Sequence, residues 1–419
     1  MADLAVGAGK ATAGAIAMRI LHAVESYFPS VSGAPEVVRH LSERMVKLGH
    51  DVTVATRKLS ERRSLNHNDV KIIEFDIQPT SDRGMSIVTG LSGETNKYQD
   101  FLRAGKFDIV MSYAAQQWTT DLMFDVLDEI KAKKVLVPCG YSALHDPLYK
   151  GYFEKLPDYL RKFDATVYLS RTYQDISFAR EHGIHNIHII PNGADEKIFR
   201  KSLSQKQKSA LRKQFGIDGL MIMTIANYTG EKGHDELLHV FKRLPVRKAT
   251  LVSAGGITPG IGCYDMFKQQ AERINQSQKF IGKKVVMIDG TKRQQVYDLL
   301  RCADLFVFLS NIEASPLVLF EAAAAGVPFV ASTAGNSVEI AQWTSGGVNV
   351  KSRAMPNGRV KANLGHALWQ TSRLVHSSKM RKRLGELGRQ SWKKHYTWDK
   401  ITHQYLKLYE DLLSAEKAK

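Results

Sequence analysis

The sequence lacks long apolar runs, and no stretch approaches the roughly 20 apolar residues needed to span a bilayer. Residues 1–17 are small and weakly apolar, without the longer hydrophobic region of a secretory signal. We therefore expect residues 1–17 to form a flexible leader and Met18 to open the folded part. A cytoplasmic location is the default expectation.

Cysteine is also scarce. The three cysteines are scattered and show no Cys-x-x-Cys spacing, which argues against a disulfide framework and against a zinc site. The sequence contains no Asp-x-Asp pair, the pattern that would indicate a site for another metal. We expect reduced cysteines in or near the cores, and no bound metal.

Acidic residues are outnumbered by basic ones. The chain has 59 Lys and Arg against 42 Asp and Glu, a formal net charge of +17. Basic clusters fall at 57–63, 131–134, 201–213 and 379–394. The last cluster lies in a helical pattern, where the charges form either a solvated helix face or a surface for anionic lipid headgroups. Because no nucleic-acid-binding signature accompanies the charge, we expect no nucleic-acid partner.

The order of the elements predicts an α/β fold with two domains. A chain of 419 residues with 43% hydrophobic residues is globular and too long for one ordinary core. From Met18 onward, buried-strand patterns alternate with helical patterns, as in doubly wound sheets. A second series of this kind follows the turn at residues 191–193. The polar stretch at 200–213 is expected to be the interdomain linker leading into a surface helix. Two such sheets in one chain predict a cleft between domains, a common place for a ligand.

The most informative segment is residues 303–330, which reads as a buried strand, a loop, a helix and a second buried strand. Pro316 suits the first turn of the helix, where a missing N–H costs nothing. The backbone N–H groups of Leu317 and Val318 then point out of the helix N-terminus, where the dipole favours an anion such as a diphosphate.

Two carboxylates flank this helix start. Glu313 precedes the helix, and Glu321 lies one turn inside it on the side of Leu317. A carboxylate there is able to accept two hydrogen bonds from a ribose diol. Taken singly, Glu313 could equally be a cap of the helix, and Glu321 could equally be a solvated side chain on its surface. Their joint placement between two buried strands favours a ligand site.

The arrangement Glu, seven residues, Glu-Ala-Ala-Ala-Ala-Gly-x-Pro resembles the signature of the family 4 retaining glycosyltransferases with the GT-B fold. The similarity runs from Met18 to about Leu412 and includes Glu36, after the Gly-containing loop, and Lys232-Gly233 at a helix start. It implies two Rossmann-like domains facing a cleft. Residues 18–198 would form the acceptor-side domain and 199–396 the nucleotide-sugar domain, with a final helix within 397–419 crossing back to the first domain.

The resemblance also implies roles for individual residues. Glu321 would bind the donor ribose, Glu313 would contact the transferred sugar, and Lys232 would neutralise the leaving diphosphate, whereas a lone lysine of this kind is ordinarily a surface residue. The diphosphate would lie against the helix start, at Ser315, Pro316, Leu317 and Val318. Gly33 would approach the phosphates from the other domain, the alternative being an ordinary strand-to-helix turn.

Two positions depart from the family pattern. Asn227 stands where many relatives have an Arg, so the cationic clamp would rest on Lys232 or on an unidentified helper. Cys139 stands where many have a His, and His145 nearby is either a polar contact to the substrate or a plain loop residue. A nucleophilic role for Cys139 is disfavoured because no activating partner is visible.

The resemblance implies a UDP-sugar or GDP-sugar donor, no cofactor, no obligatory metal, and a glycan or lipid-linked acceptor; peripheral contact with an anionic membrane fits the basic composition. Two other functions compete with this one. A binding protein that has lost its chemistry is motivated by Asn227 and Cys139. A nicotinamide enzyme is disfavoured, because Gly7-x-Gly9 follows no strand and Ala254-Gly255-Gly256 lacks the full glycine fingerprint.

Overall fold

The computed structural model describes residues 17–30, 32–81, 84, 86–256, 262–290 and 292–417. All of the predicted leader except Ala17 lies outside the described residues, as do Gly7 and Gly9. Among the described residues, no helix combines the length and apolarity that a bilayer crossing requires.

The chain divides into two compact units. Of the described residues, those within 17–138, 155–167 and 402–417 form the first unit, and those within 139–154 and 168–401 form the second. The domain boundary expected from the sequence instead assigns 139–154 and 168–198 to the first domain. In the structure the segment 168–198 bonds within the second unit: the Asn336 side chain donates to the Leu169 carbonyl over 2.8 Å, and the backbone N–H of Arg171 donates to Glu339 over 3.0 Å.

The first unit is built on a sheet with strand order β9-β8-β7-β1-β2-β4-β3. Neighbouring strands are parallel except for β3, which pairs antiparallel with β4, and β5 and β6 form a separate antiparallel pair. The strands are β1 Arg19–Val24, β2 Asp51–Arg57, β3 Asn66–His67, β4 Val70–Phe75, β5 Ile77–Pro79, β6 Leu91–Gly93, β7 Ile109–Tyr113, β8 Lys133–Val137 and β9 Ala165–Tyr168, whose last residue opens a segment of the second unit.

Helices accompany these strands because apolar side chains recur at helical spacing. In α1, Val37, Val38, Leu41 and Met45 are all buried. The helices that lie wholly or partly in this unit are α1 Gly33–Lys47, α2 Thr95–Ala104, α3 Trp118–Phe124, α4 Lys150–Lys162 and α15 Trp398–Lys417.

The second unit is built on a fully parallel six-stranded sheet with strand order β13-β12-β11-β14-β15-β16. Its strands are continuous apolar runs because both faces are covered: Met223 and Phe306 pack into one buried cluster, and Ile222 and Leu305 into another. The unit's strands are β10 Ile187–Ile189, β11 Leu220–Ile225, β12 Ala249–Gly255, β13 Lys283–Asp289, β14 Leu305–Phe308, β15 Phe329–Ala331, β16 Gly347–Asn349, and the antiparallel pair β17 Ser352–Ala354 and β18 Val360–Ala362.

The helices of the second unit are α5 Gln174–Glu181, α6 Glu196–Phe199, α7 Gln205–Gln214, α8 His234–Arg243, α9 Tyr264–Ser277, α10 Arg293–Leu300, α11 Leu317–Ala325, α12 Ser337–Thr344, α13 Leu364–His376 and α14 Ser378–His395. Single 3-10 turns lie at Pro147–Tyr149 and Lys279–Ile281. The linker expected at 200–213 is largely α7, which begins at a capping box formed by Ser204 and Gln207.

The last helix returns to the first unit, as the sequence predicted. From Thr402 onward its residues belong to that unit. Tyr409 is fully buried there, and its hydroxyl lies 3.2 Å from the Met111 sulfur and 3.5 Å from His22 Nε2. The apolar stripe of the helix is therefore covered by the sheet of the first unit.

Candidate active site

The site lies at the reversal of strand order in the second sheet. From β11 the chain continues to β12 and β13 on one side of the sheet and then returns to place β14, β15 and β16 on the other side. In open parallel sheets, ligands bind at the carboxyl ends of the strands at such a reversal. The loops that leave β11 and β14 at this point carry Lys232 and Glu313.

Lys232 and Glu313 form an ion pair. The Lys232 ammonium donates to Glu313 Oε1 over 2.8 Å and to the Ile312 carbonyl over 3.1 Å. Ser310 donates its hydroxyl to the same carboxylate oxygen over 2.8 Å. Both charged side chains are partly exposed, at 25% for Lys232 and 14% for Glu313. The structure thus brings together two of the residues that the sequence selected, although they are far apart in the chain.

A glycine fixes the position of this lysine. Gly233 is the N-cap of α8 and has a left-handed φ of 68°. A Cβ atom there would lie 1.9 Å from the Leu309 carbonyl oxygen, so the backbone after Lys232 is pressed against the end of β14. Only glycine allows both this conformation and this approach.

The helix that follows Glu313 begins one residue later than the sequence predicted. Its first residue is Leu317. Pro316 is the N-cap rather than part of the first turn, because its ψ of 113° is that of extended backbone. The N–H groups of Leu317 and Val318 belong to the first turn, where no preceding helical carbonyl is available. Asn192, which is buried, donates its side-chain amide to the Ser315 carbonyl over 3.2 Å and so holds the approach to the helix.

Glu321 lies one turn into α11 and is only 5% exposed. Its Oε1 accepts from the Arg293 guanidinium over 3.2 Å. The same guanidinium lies 4.8 Å from the centre of the Tyr297 ring and donates to the Tyr297 hydroxyl over 2.6 Å. The sequence analysis missed Arg293, and its spacing of four residues from Tyr297 at the start of α10 is the single local signal that points to it.

Four further residues were predicted for the site, namely Asn227, His145, Gly33 and Cys139. Asn227 accepts the N–H of Gly256 over 3.0 Å and thereby holds the loop after β12. His145 lies beside Gly358, between β17 and β18, where an added Cβ would lie 2.8 Å from His145 Cδ2. Gly33 is the first residue of α1 in the first unit, with no atom within 4 Å of an added Cβ, so neither steric crowding nor a positive φ requires glycine there. Cys139 has a left-handed φ of 57°.

A buried histidine adjoins the lysine. His234, the first residue of α8, stacks on Tyr228 with ring centres 4.6 Å apart. Burial lowers the pKa of His234 to about 4, so its ring is neutral near pH 7. The cationic charge at this helix start is therefore carried by Lys232. Within the described ranges, no group of three or more His, Cys, Asp or Glu side chains is placed to hold a metal ion.

Comparison with known proteins assigns both halves of the chain. Residues 207–390 match the family described as glycosyl transferases group 1, and residues 31–197 match glycosyltransferase family 4. The N-acetyl-alpha-D-glucosaminyl L-malate synthase of Bacillus anthracis is 26% identical, over 93% of this chain and 97% of its own length. The alpha-monoglucosyldiacylglycerol synthase of Acholeplasma laidlawii is 25% identical over 75% of this chain and 80% of its own.

The mannosylfructose-phosphate synthase of Agrobacterium fabrum is 25% identical over 58% of this chain, and the match spans about half of that enzyme, 51% of its length. Among solved structures, the sucrose-phosphate synthase of Thermosynechococcus elongatus superposes with a TM-score of 0.75 at 16% identity, covering 95% of this chain and 100% of that one. The Anabaena protein HepE, in complex with UDP-glucose, superposes with a TM-score of 0.72 at 14% identity, covering 94% and 100%. At these identities the superpositions show the shared fold.

Proposed function

The chain belongs to the family 4 glycosyltransferases with the GT-B fold, and from that premise we propose a retaining, metal-independent sugar transfer from a UDP-sugar or GDP-sugar to a glycan or lipid-linked acceptor hydroxyl. One observation carries the proposal: the Lys232–Glu313 ion pair, 2.8 Å long, stands at the strand-order reversal beside the N-terminus of α11.

Lys232 supplies the charge that a leaving diphosphate needs. An ammonium group has three N–H donors, and Lys232 directs two of them to Glu313 and Ile312. The third is available to a donor phosphate oxygen. As the bond between the anomeric carbon and the diphosphate breaks, negative charge develops on that oxygen, and the ammonium and the α11 N-terminus stabilise it together.

Glu313 and Glu321 divide the recognition of the donor. Glu313 uses Oε1 for Lys232 and Ser310, and its remaining lone pairs are directed to hydroxyls of the transferred sugar. Glu321 is oriented by its bond to Arg293, and its carboxylate is proposed to accept from the donor ribose. Pro316, Leu317 and Val318 lie between the two carboxylates and are proposed to receive the diphosphate.

The reaction balances without a metal or a separate base. The acceptor oxygen forms a bond to the anomeric carbon on the face from which the nucleoside diphosphate departs, which retains the configuration. The acceptor proton passes to the departing phosphate oxygen. His145 is proposed as a polar contact to the sugar, and Gly33 as a contact from the first unit.

The names of two relatives support the acceptor classes. One relative is a glucosyldiacylglycerol synthase and another forms a glucosaminyl malate, so lipid-linked and soluble acceptors both occur among similar proteins. A lipid-linked acceptor, and with it peripheral contact with an anionic membrane, agrees with the net charge of +17.

The test uses a panel of UDP- and GDP-sugars, first by thermal shift and then by donor hydrolysis and transfer. We expect Lys232→Ala to lower turnover by roughly 100-fold or more, since one preorganised charge at the leaving group is removed. We expect Glu321→Ala chiefly to raise the donor KM.

Lys162→Ala is the matched control, because Lys162 also pairs with a carboxylate, Asp128 at 2.5 Å, in the other unit. The anomeric configuration of the product, read by proton NMR, tests retention.

Three outcomes would contradict the proposal. Turnover unchanged in both site variants refutes the residue roles, and an inverted product refutes the stereochemistry. Donor binding by calorimetry without transfer or hydrolysis would instead favour the non-catalytic binding protein that Asn227 and Cys139 suggested.

A further inference from the structure

An exposed aromatic side chain lies at the amino ends of the strands of the second sheet, opposite the candidate active site. Phe280 lies in the 3-10 turn between α9 and β13 and is 97% exposed, the highest value among the large hydrophobic residues of the described chain. Ile281 beside it is 38% exposed. The turn directly precedes β13 and so lies at the amino ends of the strands, whereas Lys232 and Glu313 follow their carboxyl ends.

Exposed cations lie on the segments that adjoin this turn, at the end of α8, in the turn before β12 and at the end of α9. We call Phe280 and Ile281, with these cations, the basal patch; the cations are Lys242, Arg243, Arg247, Lys248, Arg273 and Lys279. The acidic side chains near these cations include Asp235 and Glu272, which are exposed, and Asp218, which is paired with Lys284 at 2.7 Å. The six cations give the patch a local excess of positive charge.

Backbone and side-chain bonds hold the basal patch together. The N–H of Lys248 donates to the Ile281 carbonyl over 2.9 Å, which joins the turn before β12 to the turn before β13. The buried ammonium of Lys283 donates to the carbonyls of Phe241, Lys242 and Leu244 at 3.2, 3.1 and 2.6 Å, so the end of α8 is tied to the start of β13. The segments that carry the cations are therefore joined at the amino ends of the strands.

We propose that the basal patch docks on an anionic lipid bilayer, with Phe280 inserted at the headgroup level and the surrounding Lys and Arg side chains on the lipid phosphates. An apolar side chain combined with a polybasic surface is the pair of signals that gives peripheral binding. One protruding ring provides far less than the roughly 800 Å² per partner of a stable protein interface, which disfavours a second protein chain. Because the basal patch and the candidate active site lie at opposite ends of the strands, docking can be tested separately from sugar transfer.

The test is co-sedimentation of the full chain with vesicles of phosphatidylcholine, alone or with about 30% phosphatidylglycerol. Binding is expected only to the anionic vesicles, and about 0.5 M salt should weaken it because screening reaches the exposed cations. Phe280→Ala is expected to lower the bound fraction by about fivefold, and Arg247→Glu with Lys279→Glu to abolish binding. Donor hydrolysis should be unchanged in both variants.

Met266 provides the matched control. It is 51% exposed and lies near the other end of α9. Met266→Ala should bind anionic vesicles like the wild type. In a second readout, the emission of Phe280→Trp should shift to the blue on anionic vesicles, while that of Met266→Trp should not.

Several results would overturn the proposal. These are equal sedimentation of Phe280→Ala and wild type, equal binding to neutral and anionic vesicles, or no vesicle binding at all. Binding to a homopolymeric RNA that depends on Phe280, without vesicle binding, would assign the basal patch to nucleic acid. A dimer that dissociates on Phe280→Ala would assign it to a second copy of the chain.

Discussion

At the scale of residues, the arginine that the sequence analysis missed sets the position of a predicted carboxylate. Arg293 stacks on Tyr297 and bonds Glu321, so it fixes the orientation of the group proposed to bind ribose. A lysine would supply the charge without the planar stacking. Arg293 is thus a positioning residue under the proposed function.

Arg293→Ala should raise the donor KM by about tenfold with a smaller change in kcat, because the interaction it supports is made with bound donor throughout the reaction. Arg293→Lys should recover part of the loss. Steady-state kinetics over a range of donor concentrations measures both. Gln294→Ala, at an exposed neighbouring position, should match the wild type. An unchanged KM in Arg293→Ala would remove the positioning role.

A buried histidine in the first unit makes stability depend on pH. His22, on β1, is fully buried and shares a 2.8 Å hydrogen bond with the Ser42 hydroxyl. Burial lowers the pKa of His22 from 6.5 to about 3. Below pH 6.5 the unfolded chain takes up a proton that the folded chain refuses, so stability is present above that pH and is lost as the pH falls toward 3.

Between pH 6.5 and pH 5 this single group should cost about 2 kcal/mol of stability. His22→Gln keeps a partner for Ser42 and cannot be protonated, so its stability should fall less over the same interval. Urea unfolding of both proteins at the two pH values, followed by circular dichroism, makes the comparison. Parallel pH profiles would show that His22 is not responsible.

At the scale of elements, the start of α8 depends on one glycine. Gly233 combines a φ of 68° with contact to the Leu309 carbonyl, so the loop of Lys232 and the end of β14 have a single relative arrangement. The hairpin of β17 and β18 supports the same loop, since the N–H of Val360 donates to the Asn311 carbonyl over 2.8 Å and Arg359 pairs with Glu231.

Gly233→Ala should destabilise the protein by roughly 2 kcal/mol or more, because the added methyl group meets backbone in a conformation that alanine rarely adopts. Turnover should fall as well, since Lys232 is displaced. Gly151→Ala, in α4, is the control: it has no neighbour within 4 Å and no positive φ. That change should raise stability by about 0.5–1 kcal/mol. Thermal unfolding measures the stability of both variants. Equal changes in stability for Gly233→Ala and Gly151→Ala would contradict the role given to Gly233.

At the scale of the whole molecule, the C-terminal helix completes the core of the first unit. Its buried face includes Tyr405, Leu408 and Tyr409, and the sheet below it would otherwise expose Met111. The end of the chain is therefore required for the stability of a unit that begins at the other end.

Tyr409→Ala should destabilise the protein by about 3–5 kcal/mol, the usual cost of removing a large buried aromatic side chain. Lys407→Ala on the same helix should cost less than about 0.5 kcal/mol, because Lys407 is 75% exposed in its pair with Asp411. Chemical denaturation of the two variants provides the measurement. A small effect of Tyr409→Ala would mean that the helix is dispensable to the core.

The sequence by itself determined the features that are local in the chain. The alternation of strands and helices, the Lys232-Gly233 helix start and the two glutamates around α11 are each encoded within a few turns of backbone. These were sufficient to predict two doubly wound domains, the returning helix and the family. The start of α11 was wrong by one residue because a proline suits both the N-cap and the first turn.

Tertiary structure alone decided which distant residues meet. Strand order places the loop after β11 beside the loop after β14, which brings Lys232 to Glu313 across 81 positions. Tertiary contact between α10 and α11 likewise brings Arg293 to Glu321. The bond between the turns before β12 and β13 brings together segments of the basal patch. Side-chain periodicity records which face of an element is buried, but not which element covers it, so these pairings appear only when the sheet is assembled.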